Sequence, residues 1–502
     1  MFANKKSLYV LCAASGVCSL IMLDTNVVAV SLPAISKALG ASFRDLEWVI
    51  SSYILTFAIF LMPAGAISDN YGRKRSVMLG LVFFLLASLV CGFAPTVTIL
   101  NIGRAAKGIG AAFLLIGSLA IIGKEFSDPR ERAKAWGIWG STLGLTITLS
   151  PVIGGIITTY LGWRWAFFIN VPAVLILLAA INHYVTESSD PDADKLDIPG
   201  LITFTFALFF LSWFLIDASE VKITTPTMLL RLLGGLIFFG LFIYAEKKQK
   251  RGMLDLSLFK NKFFIGSVCS MLAYALSAQV MMNYIPLYLQ NVFSLTPLAA
   301  GLHMLPFAIA MIIFPKFSLY LNEKFTQGQV LAIGLLTVSI GDLLGFFLVT
   351  SNSYPLVACA LIIMGAGAGM LNGETTKAIM GSVPFNRSGM ASGISTTTRF
   401  TGILFGVSGL GGILSIVTNA SFNFELKKNQ IRTPINPEFI KSILSGDLPK
   451  AMTKIDMNTQ KDLLESGLRA FSNGFSTVLL TGSVISFCFA IVIYILMNPK
   501  KR

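Results

Sequence analysis

Charge is what this chain has least of. Only 13% of its 502 residues are Asp, Glu, Lys or Arg, about half the roughly 25% of an ordinary soluble domain. Histidine is nearly absent, with 2 in the chain, so no His-rich cluster can hold a metal. The cysteines Cys12, Cys18, Cys91, Cys269, Cys359 and Cys488 all fall inside apolar runs without metal-ligand spacing. They fit small core residues rather than disulfides or metal ligands. No acid pair, Cys/His site or nucleotide-binding loop sits where an apolar run ends. An integral membrane transferase therefore has no support, and neither cofactor nor metal is expected.

What fills the chain instead is hydrocarbon, with 54% hydrophobic residues and a mean hydropathy of +0.74. A bilayer core of about 30 Å needs roughly 20 apolar residues per helix. Without water, every backbone polar group must be paired within the segment, which leaves helices or a closed barrel. The runs here are too long and too continuous for barrel strands of about 10 alternating residues. Apolar windows predict spans near 8–30, 47–67, 77–94, 98–122, 134–156, 164–184, 198–217, 226–245, 263–290, 298–320, 329–350, 354–379, 390–418 and 478–497. The fold class is all-α integral membrane, with about fourteen helices. Lys5 and Lys6 resemble the start of a signal peptide, but the run continues past Val30 without a small-residue cleavage site, so a retained first helix is expected.

The net charge of +14 reads as topology rather than as nucleic-acid binding, because the bases collect in alternate loops. On one side lie Lys5 and Lys6, then Arg73, Lys74 and Arg75, then Lys124, Arg130, Arg132 and Lys134. The same side continues with Lys247, Lys248, Lys250, Arg251, Lys260, Lys262, Lys324, Arg387, Lys500, Lys501 and Arg502. The opposite loops hold little beyond Lys37, Arg44, Arg164 and Lys222. Both termini are therefore expected in the cytoplasm. The acidic run Thr186 to Asp197, with its single Lys195, reads as a central linker. It divides the chain into residues 1–185, a central region 186–262, and residues 263–502. A stretch at about 419–477 is expected as an outward-facing insert, a lid or, more simply, a solvated connection. Within it Asn436-Pro437 reads as a helix start.

Ionisable groups inside a span are costly and tend to mark a pathway. From the 1.5 Å rise per residue, Asp24 in span 1 lies about 24 Å from its cytoplasmic end, and Arg104 and Lys107 in span 4 lie about 27 and 22 Å from theirs. Three residues apart, the two bases share a helix face. An acid and two bases at one depth can neutralise one another, either as a static ion pair or as a site whose acid exchanges a proton. The exchanging reading is favoured, since an apolar pair would hold helices without the desolvation cost. Removing Arg104 is expected to harm stability more than removing Asp24, by leaving a buried acid unpaired. Asp342 is the best acid of the second half. Glu374 and Lys377 read as a surface pair near a helix end. Arg399 must find a partner or a watery cavity, and His303 is either titratable or a packing residue. Tyr274, Gln279, Asn283 and Tyr284 have the spacing to line a cavity for an amphipathic substrate.

Prolines and glycines mark bends and close approaches. Ser150-Pro151-Val152-Ile153-Gly154-Gly155 places a proline inside span 5 and two glycines beside it. Gly365, Gly367 and Gly369 in span 12 read the same way, as do Gly402, Gly406, Gly409, Gly411 and Gly412 in span 13. Close packing accounts for all of them, with a rocking hinge as the functional alternative.

The loop Gly65-Ala66-Ile67-Ser68-Asp69-Asn70-Tyr71-Gly72-Arg73-Lys74-Arg75 resembles the signature loop of the major facilitator superfamily. Leu23 to Pro33, around Asp24, is similar to the first-helix motif of its fourteen-span drug:proton antiporters. Leu100 to Ala112, with Arg104, Gly108 and Gly110, resembles the fourth-helix motif that carries an essential arginine. Ser150 to Gly155 resembles the antiporter motif of helix 5, followed by Gly162 to Pro172 as its usual continuation. Asp197-Ile198-Pro199-Gly200 opens span 7, and Gly389 through Gly402 fits span 13. The resemblance runs in order over nearly the whole chain.

It implies two six-helix bundles around a central cavity, with two extra helices between them, and alternating access driven by protons. It also implies a multi-pass monomer of the cytoplasmic or inner membrane, whose partners are lipid, protons and a small-molecule substrate, with no nucleic acid. Asp24 would carry the proton, tuned by Arg104. Gly65, Asp69, Gly72, Arg73, Lys74 and Arg75 would form a cytoplasmic latch. The chain departs from the family at Asn26, Ala29, Lys107 (usually Gln) and Ser150 (usually Gly), and the second-half copy of the loop, Asn322 to Gln329, is eroded.

Overall fold

The computed structural model describes residues 5–126, 128–189, 197–218, 225–249, 256–351, 353–383, 388–429, 437–445 and 457–497. Lys195, Lys222, Lys250, Arg251, Arg387, Asn436, Lys500, Lys501 and Arg502 lie outside them. The described residues form helices and no strand. Fourteen of the helices are long and apolar enough to span a bilayer, and each answers one of the apolar windows. They are α1 (Lys5–Leu39), α2 (Phe43–Tyr71), α3 (Arg73–Gly92), α4 (Val97–Glu125), α5 (Arg130–Tyr160), α6 (Trp165–Tyr184) and α7 (Ile198–Asp217). There follow α8 (Pro226–Lys248), α9 (Lys262–Val292), α10 (Pro297–Asn322), α11 (Gln327–Ser351), α12 (Tyr354–Gly381), α13 (Met390–Lys428) and α14 (Gln460–Met497).

Local chemistry sets the ends. Ser42 accepts the Asp45 N–H while Asp45 returns the bond to the Ser42 N–H, a reciprocal cap that starts α2. Thr326 and Gln329 do the same for α11, and Asp128 caps the helix of α5. A single residue, Gly72 at φ +116°, turns the chain from α2 into α3. That angle suits glycine, and a Cβ there would also meet the Glu187 carboxylate at 2.7 Å. Inside α9 a π-helical turn, Ala275–Gln279, interrupts the regular ladder.

Helices α1 to α6 pack chiefly on one another, as do α9 to α14. Helices α7 and α8 pair together, and α7 lies along α2 and α13. The two sets meet through α1 with α9, α5 with α10, and α2 with α13. Gln290 Nε2 donates to the Val30 carbonyl at 3.0 Å, and the Leu298 N–H donates to Thr159 Oγ1 at 3.2 Å. At Gly155 and Gly301 the backbones of α5 and α10 come close enough that a Cβ would not fit. The opposite end of α5 is different: Ile138 and Leu145 are exposed, and Gly137, Gly140 and Gly144 have open space beside them. The sets therefore touch at the Thr159 end of α5, and they meet again where Phe57 of α2 lies 4.2 Å from Phe400 of α13.

One expectation changes here. The stretch 419–477 is not an open insert at its flanks, because α13 runs on to Lys428 and the last helix starts at Met457. Between them the short helix Pro437–Ser445 buries Phe439, Ile443 and Leu444. Phe439 stacks on Phe422 at 5.4 Å, and Asn291 Nδ2 donates to the Ile443 carbonyl at 3.1 Å. The helix expected to start at Pro437 is there, and its buried Phe439, Ile443 and Leu444 make it packed rather than solvated.

Candidate functional site

In α1 the polar side chains beside Asp24 satisfy themselves within the helix. Thr25 Oγ1 donates to the Ile21 carbonyl and Asn26 Nδ2 to that of Met22. A carboxylate has no proton to give and cannot do this, so Asp24 needs donors from another helix. Helix α4 supplies them. Arg104 Nη1 donates to Asp24 Oδ2 at 2.8 Å, and Lys107 Nζ donates to Oδ1 at 2.5 Å. Asn170 Nδ2, in α6, adds a third bond to Oδ1 at 3.0 Å. All three ionic side chains are 0–1% exposed.

Glycines of α4 explain the sealing. A Cβ on Gly108 would stand 2.3 Å from the Tyr53 carbonyl, one on Gly103 2.8 Å from Cys91 Sγ, and one on Gly110 3.0 Å from the Phe84 nitrogen. Only bare backbone at these positions lets α2 and α3 close over the bases. Each base then finds an aromatic face. Arg104 lies 4.2 Å over Tyr53, and Lys107 lies 4.5 Å over Phe84 and 5.2 Å over Phe167. Arg104 Nε also donates to the Val49 carbonyl at 2.9 Å. The depth arithmetic on Asp24, Arg104 and Lys107 thus found a real cluster, and it missed Asn170, Tyr53 and the Val49 carbonyl. Without Arg104 the acid still has Lys107, whereas without Asp24 both bases lose their common anion.

Other singled-out residues fall in separate places. Arg399 Nη2 and Tyr274 Oη converge on Asn372 Oδ1, and the Arg399 guanidinium lies 5.6 Å from the Tyr274 ring. Gln279 closes the π-turn of α9. Asn283 and Tyr284 lie elsewhere on α9, where Tyr284 Oη donates to the Val407 carbonyl at 2.5 Å. Tyr284 faces Gly411 together with the buried Glu47 of α2, an acid at the edge of its apolar window. His303 Nδ1 bonds the Ala299 carbonyl at 2.7 Å, and the ring lies 4.2 Å from Tyr354. Asp342, fully buried between α11 and α14 beside Gly482, has no hydrogen-bond partner among the described residues. Lys377 reaches solvent and meets Glu374 at 3.4 Å.

The Gly65–Arg75 segment, expected as a loop, is helical on both sides of Gly72 and carries a short ladder of charges. Arg73 Nη2 donates to Asp69 Oδ1 at 2.9 Å across Gly72. Glu187, from the presumed linker, accepts the Lys74 and Arg75 backbone N–H groups at 3.0 and 3.1 Å. Lys74 Nζ donates to the Asn182 carbonyl at 2.7 Å, tying the start of α3 to the end of α6. In α5, Pro151 presents its carbonyl to Gly301, and Gly154 lies against Val27. Ser150 Oγ donates to the Thr146 carbonyl within the same helix. At the far ends of α7 and α8, Asp217 receives Arg44 at 2.6 Å and also pairs with Arg231, a triad the sequence reading missed.

Residues 14–407 match the family model of the Major Facilitator Superfamily. The chain is 30% identical to the multidrug resistance protein Stp of Mycobacterium tuberculosis over 85% of its own length and 79% of that protein. It is 26% identical to the multidrug efflux pump LfrA of Mycolicibacterium smegmatis over 94% and 93%. It is 30% identical to a methylenomycin A resistance protein of Bacillus subtilis over 78% and 84%. Among solved structures, a bacterial homolog of the human lysosomal transporter Spinster, inward-facing and unoccupied, shares the fold. Its TM-score is 0.66 at 16% identity, covering 98% of both chains.

Proposed function

Because this chain belongs to the major facilitator superfamily, we propose that it is a proton-coupled antiporter that exports amphipathic drugs or related small molecules. Relatives named for multidrug efflux and antibiotic resistance support export. One observation carries the coupling: a fully buried acid on α1 shared by two bases of α4, a group too costly to keep as a mere fastener. Residues 1–185 and 263–502 are the two rocking halves, with 186–262 as linker and inserted helices. The bias of basic loops supports both termini in the cytoplasm and a place in the cytoplasmic membrane. On that orientation the Thr159 end of α5 is outer and closed, and its Arg130 end faces inward.

Asp69, Arg73 and their neighbours Gly65, Gly72, Lys74 and Arg75 form a latch holding α2, α3 and the end of α6 together on the inner side. Tyr274, Arg399 and Gln279 are the polar side chains we assign to substrate. Asn283 and Tyr284 belong to the outer closure, and Asp342 is a separate acid for a proton in the second half. The chain works as a monomer in lipid, moving its substrate without covalent chemistry.

Everted membrane vesicles test this. With respiration acidifying the lumen, ethidium should release protons and relieve quinacrine quenching only when the protein is present. Ethidium accumulation driven by ATP in the presence of an uncoupler would contradict antiport.

A further inference from the structure

The cluster in α1 and α4 is unbalanced. Asp24 brings one negative charge, and Arg104 and Lys107 bring two positive ones, all with 0–1% exposure. An uncompensated charge in such a place is far more costly than a balanced pair. A guanidinium does not deprotonate in a protein, so only two groups can change charge. Protonating Asp24 leaves two cations and no anion. Deprotonating Lys107 leaves Asp24 and Arg104 as a neutral pair bonded at 2.8 Å.

Every neighbouring element points the same way. From α1 comes only Asp24, and from α4 only Arg104. Helix α3 contributes the Phe84 face and the uncharged Cys91 thiol, which donates to the Leu100 carbonyl. Helix α2 contributes the Tyr53 ring to Arg104, and α6 contributes Phe167 and the amide of Asn170. No second acid faces Lys107 among the described residues. The two aromatic faces cushion the ammonium without fixing it there.

Resting on the antiport reading above, we infer that the transferable proton rides on Lys107 Nζ, and that Asp24 is a permanent anion held by Arg104. In release, one Nζ–H bond breaks, the proton passes to water on the inner side, and the electron pair stays on Nζ. The neutral amine keeps an N–H donated to Asp24 Oδ1. In reloading, that lone pair takes a proton from water on the outer side. Nζ is sealed in the present conformation, so both exchanges wait on the rocking of the halves. Asp24 is the positioning residue and Lys107 the carrier.

Lys107→Arg separates the two, because it keeps charge and donor but gives up no proton. In proteoliposomes, proton-driven ethidium transport by this variant should fall to the protein-free level, while ethidium counterflow at equal pH persists. Proton-driven transport by Lys107→Arg at the wild-type rate would overturn the inference. A wild-type protein that moves no ethidium counts against the export reading instead, and a second measurement then decides. In protein labelled with [15N]lysine, the Nζ signal missing from Lys107→Gln should convert between ammonium and amine as buffer is taken from acid to alkaline. A signal that stays ammonium throughout refutes the carrier.

Discussion

A methyl group on Gly301 should push the transporter toward its outer-open state. Its Cβ would stand 2.3 Å from the Pro151 carbonyl oxygen, 2.8 Å from the carbonyl carbon and 3.1 Å from Val152 Cα. All three are backbone atoms, so no side chain can turn aside, and α5 and α10 must separate by about 1 Å to restore ordinary contact. Overpacking of this kind costs about 1–3 kcal/mol. The cost exists only while the outer ends touch. It therefore shifts the equilibrium between the two states by about 5–150-fold rather than unfolding the protein. Cysteines placed at Thr159 and Leu298, joined in the wild type by a 3.2 Å hydrogen bond, report the closed end through copper-catalysed crosslinking. Gly301→Ala should slow that crosslinking by about the same 5–150-fold factor. Crosslinking at the parental rate would refute the wedge argument and the idea that this seam opens.

Three further outcomes follow from charges and caps. Asp24→Asn strips the shared anion and should lower thermal stability by about 3–5 kcal/mol, whereas Lys107→Met, which leaves a balanced pair, should cost much less; a scanning fluorimeter in detergent ranks them. Asp217→Asn removes the anion that Arg44 and Arg231 share and should cost about 2 kcal/mol, seen as faster proteolysis between α7 and α8 with the remaining chain intact. Glu187→Ala removes the acceptor for two N–H groups that open α3 and should cost about 1 kcal/mol, with the melting temperature falling while insertion is preserved.

Much of this architecture is legible from hydropathy, because a helix in lipid must satisfy its backbone alone and must be long enough to cross. Such constraints act within one segment, so the windows located all fourteen spans. The cluster around Asp24 was legible for a related reason: depth and helix face follow from simple counting when helices run straight. What counting cannot see is the sideways neighbour. Asn170, Tyr53 and the Val49 carbonyl reach the cluster only after the glycines of α4 have brought α2 and α3 down upon it. Glu47, Asp217 and Glu187 lie at or near helix ends, where an acid can face water as easily as a neighbour. Tyr284 and Tyr274 look equivalent on α9, yet one bonds the Val407 carbonyl beside Glu47 and the other meets Arg399 and Asn372 at another depth of α13. The helix Pro437–Ser445 lacks a span's length, and only its buried Phe439 and Ile443 reveal that it is packed.

The most direct test of the central claim is proton movement in liposomes holding a pH-sensitive dye, with ethidium added to wild-type protein and to Asp24→Asn inserted at equal density. The account predicts ethidium-dependent proton flux in the wild type and none in the variant. Equal flux from Asp24→Asn would contradict it, placing coupling outside the cluster of Asp24, Arg104 and Lys107.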